Sequence, residues 1–328
     1  MKDLANIVDC FSRKRVVVIG DVIADQFIYG EISRVSREAP VFILRHEHTE
    51  TTPGGAGNCA ANLASMGAQV SLVSVVGDDE PGHILLERLR DGGIHSDGVF
   101  VANERRTTTK VRVLAGQIHS TRQQVIRIDY DGESDLSPKL HDELRAAVTK
   151  KVADAEAVII SDYNYGVAAP EIGAIVREAI QSRKIPVLVD SRFRLSQFPG
   201  FSSATPNEDE VAELLGAEHA DEAALALAAE ELRLQLAYQA LLVTRGGNGM
   251  TLVEAGSAPF HIEAVGSHQP VDVTGAGDTV IATYALALAS GASFRDAARL
   301  ANLAGGIVVM KRGTATVTSD ELLASIAM

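Results

Sequence analysis

Asp272-Val273-Thr274-Gly275-Ala276-Gly277-Asp278 is the stretch whose residue types and spacing come nearest to chemistry, because it runs directly into a long Ala/Leu-rich segment. Glycines at a helix start let successive backbone N–H groups point at one spot. The helix dipole adds positive potential there, which makes an anion hole suited to a phosphate. An Asp in the first turn of such a helix would lie beside the bound phosphoryl group, placed to take a proton from an attacking hydroxyl as general base. The same carboxylate would also suit an Asp that only complements the dipole, so the motif alone leaves both roles open. The sequence contains no G-x-x-x-x-G-K-[ST] run and no H-R-D or D-F-G triplet, so a phosphate cradle here has to be of the anion-hole type.

A second feature is electrostatic. From Arg105 to Ile128 the chain carries Arg105, Arg106, Lys110, Arg112, Arg122 and Arg127 but neither Asp nor Glu, on a protein with 30 Lys+Arg, 43 Asp+Glu and a formal net charge of −13. A cationic segment on an acidic protein predicts an anionic substrate, although an edge strand guarded by charge would read the same way. Arg34 and Arg37 extend the patch. His46 and His48 share a strand face without a third ligand at metal spacing and read as surface residues. The acidic balance argues against a nucleic acid or an anionic membrane as partner and leaves a small molecule as the expectation. Two cysteines, Cys10 and Cys59, with no disulfide or metal spacing suit a reducing cytoplasm. With no secretory h-region and no charge-free apolar run of about 18 residues, the chain is expected to be neither exported nor membrane-spanning.

The elements that must hold these residues follow from periodicity. Short β-branched runs (RVVVIGD, VSLVSVVGD, EAVIISDY, IPVLVDSR, QALLVTRGG) alternate with helical stretches at Gly55 to Met66, Pro81 to Arg90, Pro138 to Val152, Pro170 to Ser182, Asn207 to Leu215, Asp221 to Leu236, Ala276 to Ala289 and Phe294 to Met310. That order predicts an α/β fold whose central, mostly parallel sheet is flanked by helices. Each strand ends in a polar or Gly-rich corner, among them Asp190-Ser191 and Thr244-Arg245, and ligands of open α/β sheets collect at such edges. Two segments, about 27–50 and 106–130, alternate at period two instead. They predict a small antiparallel β lid inserted into a single domain spanning 1–328, and a surface for a homodimer.

PGGAGNCAANLASMGA near the start and DVTGAGDT near the end, in that order and at that separation, give the chain a resemblance to the ribokinase (PfkB-type) family of sugar kinases over nearly its whole length. The resemblance implies a ribokinase-like fold and ATP-dependent phosphoryl transfer, with Asp278 as base and Gly275, Ala276 and Gly277 supplying the anion-hole amides. It aligns Asp25, Gly54, Gly55 and Asn58 with sugar-binding positions. The residue types agree, since Gly54 and Gly55 permit close backbone approach while Asp25 and Asn58 can grip hydroxyls. On the nucleotide side it implies a phosphate cradle from Thr244, Arg245, Gly246 and Gly249, an adenine contact at Asn302 and Gly305, and an Mg²⁺- and phosphate-positioning pair at Asn207 and Glu210, with Asp190 nearby. Asn207 and Glu210 also read as a helix cap and its capping-box partner. Asp272 and Thr274 match positions that hold a monovalent cation, K⁺, in several members.

Within the family, GDVIADQFIYGEISRVSREAPVFILRHEHTETTPGGAGN and SDYNYG are most similar to the branch that acts on a heptose 7-phosphate. That likeness implies phosphorylation of the anomeric hydroxyl of D-glycero-β-D-manno-heptose 7-phosphate to the 1,7-bisphosphate, for lipopolysaccharide core synthesis. Lys110, Arg106 and Arg127 are then expected at the anionic sugar. Tyr165 stands where many relatives have Lys, so Arg192 or Arg245 is expected to take over a phosphate contact. No H-x-G-H motif occurs, and the expectation is the kinase alone, without the nucleotidyltransferase part that some relatives carry. The rival readings are a family kinase with another acceptor, such as ribose, fructose, a nucleoside or a fructose phosphate, and a non-catalytic nucleotide or sugar sensor.

Overall fold

A computed structural model describes residues 2–116, 122–132, 135–217, 221–266 and 269–327. In chain order the strands are β1 (Arg15–Gly20), β2 (Val22–Val35), β3 (Phe42–Gly55), β4 (Gln69–Gly77), β5 (His95–Ala102), β6 (Thr109–Gly116), β7 (Gln123–Tyr130), β8 (Ala157–Asp162), β9 (Val187–Ser191), β10 (Ser203–Ala204), β11 (Ala240–Thr244), β12 (Met250–Glu254) and β13 (Phe260–Ile262). The helices are α1 (Lys2–Asp9), α2 (Ala56–Ser65), α3 (Glu80–Asp91), α4 (Pro138–Val152), α5 (Pro170–Ala179), α6 (Glu208–Leu215), α7 (Glu222–Gln235), α8 (Ala276–Ala289), α9 (Phe294–Val308) and α10 (Ser319–Ile326).

The main sheet has the order β13-β12-β11-β10-β9-β8-β1-β4-β5. It is parallel from β11 through β5, while β12 and β13 are added antiparallel at one edge. Side chains of a strand alternate between faces, so a strand covered on both faces must be apolar throughout. On β1, Val16 and Val18 enter the core layer that also holds Leu63 and Ile281, whereas Val17 and Ile19 enter the layer that holds Leu144 and Val176. β8 divides in the same way, with Ile159 on the first side and Ile160 on the second.

The lid segments form a separate four-stranded sheet in the order β3-β2-β6-β7. Each hairpin is antiparallel internally, and the two are joined by a parallel pairing of β2 with β6. Strand β7 is exposed along its whole length on both faces.

Helix starts follow capping chemistry. Asn207 and Asp221 are N-caps whose carbonyl or carboxylate oxygens accept N–H bonds from Glu210 and Ala224, one position outside the helices that periodicity assigns them to. Helix α5 stops at Ala179, three residues short of expectation, where the Ile180 amide folds back onto the Val176 carbonyl. Helices α8 and α9 follow one another without an intervening strand, and α10 follows them. Among the described residues no helix is long and apolar enough to cross a membrane.

Candidate active site

The turn before α8 is closed by its own aspartate. Asp272 accepts an N–H bond from Thr274 at 3.0 Å through one oxygen and from Gly313 at 2.9 Å through the other. Gly275, the N-cap, has φ +75°, and a Cβ there would lie 2.3 Å from Asn58 Nδ2, so both conformation and space demand glycine. The Ala276 N–H bonds to the Val273 carbonyl at 3.2 Å. Of the three amides expected to form an anion hole, those of Gly275 and Gly277 remain. A Cβ at Gly277 would meet nothing within 4 Å, which leaves room in front of the helix start.

Asp278 follows in the first turn of α8 and is 4% exposed. Its two oxygens accept from Asn58 Nδ2 and from the Tyr163 hydroxyl, each at 2.9 Å. A carboxylate only accepts, so both partners must donate, and the neighbours enforce this. Asn62 donates to the Asn58 side-chain oxygen at 3.2 Å and to its carbonyl at 3.1 Å, which turns the Asn58 amino group toward Asp278. Asn62 is held in turn by the Thr279 hydroxyl and the Val317 N–H, both donating to its Oδ1. Burial raises the Asp278 pKa to about 7, against the lowering effect of the bonds from Asn58 and Tyr163; Asp25 adds to the rise and Lys110 opposes it.

Two cavities meet at this turn and share Val273, Ala276 and Gly277 as a common wall. The larger, about 350 Å³, is mainly apolar and glycine-lined; Thr244, Gly246, Gly249, Asn302 and Gly305 face it. Gly249 has φ +82°, and a Cβ on it would lie 2.0 Å from the Ile262 carbonyl oxygen. Asn302 donates to the Glu263 carbonyl at 2.8 Å, so its side chain pins the loop after β13 as well as facing the cavity.

The smaller cavity, about 230 Å³, brings Asp278 and Asp25 together with Lys110, Arg112, Arg127 and Arg192. Register explains why these side chains converge. Lys110 and Arg112 lie two residues apart on β6, opposite Asp25 and Phe27 on β2 and opposite Asp129 and Arg127 on β7. Arg112 pairs with Asp25 and lies 5.4 Å above the Phe27 ring. Arg127 makes a bidentate bond to Asp129, and the Arg127 charge adds to burial in lowering the Lys110 pKa. Gly54 does not line the cavity but stands behind Asp25: a Cβ there would lie 2.2 Å from the Asp25 carboxylate. Gly55, at φ +57°, reaches the cavity wall.

Three expected contacts lie elsewhere. Asn58 is buried with its amide committed to Asp278 and the Gly275 carbonyl, so it orients the carboxylate instead of facing the smaller cavity. Arg106 is exposed and lies outside the cavity, whereas its neighbour Arg105, in the bend before β6, is buried and donates to the Tyr165 carbonyl. Arg245, expected to contact phosphate, does not line the larger cavity and forms ion pairs with Glu222 at 2.5 Å and Glu208 at 3.6 Å.

Asn207 and Glu210 make the reciprocal capping box, at 2.8 and 2.9 Å, and Asn207 also bridges to Thr244 at the cavity edge. Burial, then Glu210 and Asp278, hold the Asp190 carboxyl well above the ordinary carboxylate range, and burial raises Glu210 too. Asp272 and Thr274 are neighbours in the turn, with Thr274 on the wall of the smaller cavity. Sequence reasoning missed Tyr163 and Gly306. The first lies in SDYNYG, a segment in which only Tyr165 drew a site expectation; the second, where a Cβ would lie 2.3 Å from the Val265 carbonyl oxygen, could have been suspected from the Gly305-Gly306 doublet.

Against known proteins, the description "pfkB family carbohydrate kinase" matches residues 13–321. The D-beta-D-heptose 7-phosphate kinase of Bordetella bronchiseptica is 42% identical over 313 residues, covering 95% of this chain and 96% of that protein. The "Bifunctional protein HldE" of Caulobacter vibrioides is 42% identical over 327 residues, 98% of this chain but 65% of its own length, so the chain spans just under two thirds of that relative. Among solved structures, phosphofructokinase-2 of Escherichia coli superposes with a TM-score of 0.78 at 20% identity, over 96% of this chain and 98% of that one. Arabidopsis thaliana ribokinase, solved with ribose and ATP, gives 0.74 at 22%, over 96% and 99%. At those identities the likeness establishes the ribokinase-like fold.

Proposed function

This chain belongs to the pfkB family of carbohydrate kinases, and from that premise we propose that it transfers phosphate from ATP to the anomeric hydroxyl of D-glycero-β-D-manno-heptose 7-phosphate, giving the 1,7-bisphosphate. The product would feed ADP-heptose formation for the lipopolysaccharide core, and the enzyme would work in the cytoplasm. One observation carries the reading: Asp278 stands at the wall between a glycine-lined apolar cavity suited to a nucleotide and a cavity in which four cations face two carboxylates. An acceptor bearing its own phosphate matches that excess of positive charge.

In this reading the acceptor hydroxyl lies in front of Gly277 and gives its proton to Asp278. Its oxygen attacks the γ-phosphorus in line as the bond to the β,γ-bridging oxygen breaks and ADP departs, while the Gly275 and Gly277 amides and the α8 dipole face the developing charge. Lys110, Arg127 and Arg192 hold the anionic groups, and Asp25, fixed by Arg112, accepts from sugar hydroxyls. Asp190 and Glu210 fit Mg²⁺, because both are desolvated carboxylates, the Glu210 charge adds to burial in raising the Asp190 pKa, and both offer hard oxygen ligands. When bound, the ion neutralises charge on the ATP phosphates. A K⁺ site is assigned to Asp272 and Thr274, where each Asp272 oxygen accepts one N–H bond and keeps a second lone pair.

A panel of acceptors tests the assignment. The heptose 7-phosphate should exceed neutral heptose, ribose and fructose in kcat/KM by about 10²-fold or more, the worth of two charge-assisted contacts, and ³¹P spectra of the product should show two sugar phosphates. Preference for a neutral sugar would remove the cationic cavity from the argument.

We further propose a homodimer through the lid. Phe42, Ile126, Ile128 and Tyr130 are large apolar side chains left 41–58% exposed on this small sheet, and unpaired strand edges invite pairing. Light scattering should give twice the 34.7 kDa chain mass. A monomer at working concentration would overturn the assembly.

A further inference from the structure

Tyr163 does not belong to the glycine motifs or to the cationic lid, yet its phenol donates to Asp278 Oδ1 at 2.9 Å. We propose that Tyr163 is a positioning residue for proton transfer: together with Asn58 it occupies one lone pair on each Asp278 oxygen and leaves the remaining lone pairs for the acceptor hydroxyl.

The loop that carries Tyr163 is built to hold it. The buried Asp21 carboxylate accepts the N–H groups of Tyr163, Tyr165 and Val167 at 2.9, 3.1 and 3.0 Å. Asn164 at φ +64° and Gly166 at φ +99° give the loop the left-handed turns needed to wrap that carboxylate. On the other side Asp162, fully buried, accepts from the Asn164 N–H and the Ser191 hydroxyl and pairs with Arg194. Two buried carboxylates therefore fix the backbone on either side of one phenol. The ring is confined by Gly55, whose absent Cβ would lie 3.2 Å from Tyr163 Cε2, and by Lys110, whose ammonium is 5.6 Å from the ring centroid. A loop with no other task would not need this much anchoring.

Removing the phenolic donor takes a charge-assisted hydrogen bond from the ionised form of Asp278 alone. The sign follows: the carboxyl becomes a weaker acid, and the pH above which it serves as base moves up. The other charged or titratable groups facing Asp278 are Asp25 on β2, Cys59 on α2, Lys110 on β6 and Asp190 on β9; Tyr163→Phe alters none of them.

The inference rests on the proposed kinase reading only for its kinetic arm. In Tyr163→Phe the acid limb of kcat/KM should move upward by about one pH unit, the worth of one such bond. The rate should fall several-fold at pH 7 and recover in part by pH 9, with KM for ATP unchanged. Direct ¹³C titration of the Asp278 carboxyl, which needs no acceptor, should move the same way. 3-Fluorotyrosine at position 163, a more acidic donor, should move both downward and keeps the test available if the Phe variant folds poorly. In an Asp278→Asn background, Tyr163→Phe should add no further loss. A uniform rate loss at every pH, or an unmoved carboxyl titration, would overturn the proposal. Failure of every phosphosugar as acceptor would instead sink the kinase reading while leaving the titration readable.

Discussion

Asp278→Asn should fold, bind ATP with near-normal affinity and lose turnover by about 10²-fold or more, the usual contribution of a general base. The substitution is close to isosteric, and the pocket can accommodate an amide. Its carbonyl oxygen can accept from Asn58, whose orientation is locked by Asn62, while its amino group donates to the Tyr163 hydroxyl, which can rotate to become an acceptor. Stability gives a second readout. The folded carboxyl is raised to about 7 from an ordinary carboxylate value, so the stability it lends is fully present at low pH and is lost as pH rises toward and through 7. The Asn variant should therefore melt no lower than the wild type at pH 8. ADP release under saturating acceptor, ATP binding by calorimetry and thermal melts provide the measurements. Near-normal turnover would take the base role away from Asp278.

Gly275→Ala should be nearly as damaging although it removes no functional group. At φ +75° a β-carbon costs about 1–2 kcal/mol, and here it would also lie 2.3 Å from Asn58 Nδ2. Asn58 cannot simply step aside, because Asn62 holds both its carbonyl and its side-chain oxygen. Relief must come from shifting the start of α8, and with it the Gly277 amide and the Asp278 carboxylate. We expect a melting point lower by a few degrees and turnover down by about 10²-fold, comparable to loss of an anion-hole donor. Gly277→Ala is the control. Its Cβ meets no protein atom within 4 Å, so stability should hold, and any rate loss would report the methyl group intruding on the gap. Full activity in Gly275→Ala would mean that the turn does not position the reacting groups.

Particular elements show how far the residues alone carried the reading. Helices α4 and α8 begin and end where periodicity, Pro138 and the glycine turn place them. Continuous apolar strands such as RVVVIG declare a sheet covered on both faces, because no other environment tolerates side chains of one kind on both sides. Helix α10 went unread although Thr318 and Glu321 spell a capping box. Helix α1 and strands β5, β12 and β13 are short or mixed in composition, and they are ordered mainly by what they pack against.

In the lid, composition marked a cationic segment, but it took strand pairing to select its members. Lys110, Arg112 and Arg127 share one face by register, Arg106 lies outside the cavity, and Arg122, beyond the bulge between Val113 and Leu114, pairs with Glu47.

The chain by itself determined what is local: the glycine turn and its aspartate, the two-faced sheet, the alternating lid strands and the sign of their charge. Those follow from backbone sterics and periodicity over a few residues. Only tertiary structure decided which groups surround the Asp278 carboxylate. Asn58 and Tyr163 lie 220 and 115 residues from Asp278 in sequence, and hydrogen bonds across such separations are set by how packed layers converge, which no local pattern encodes.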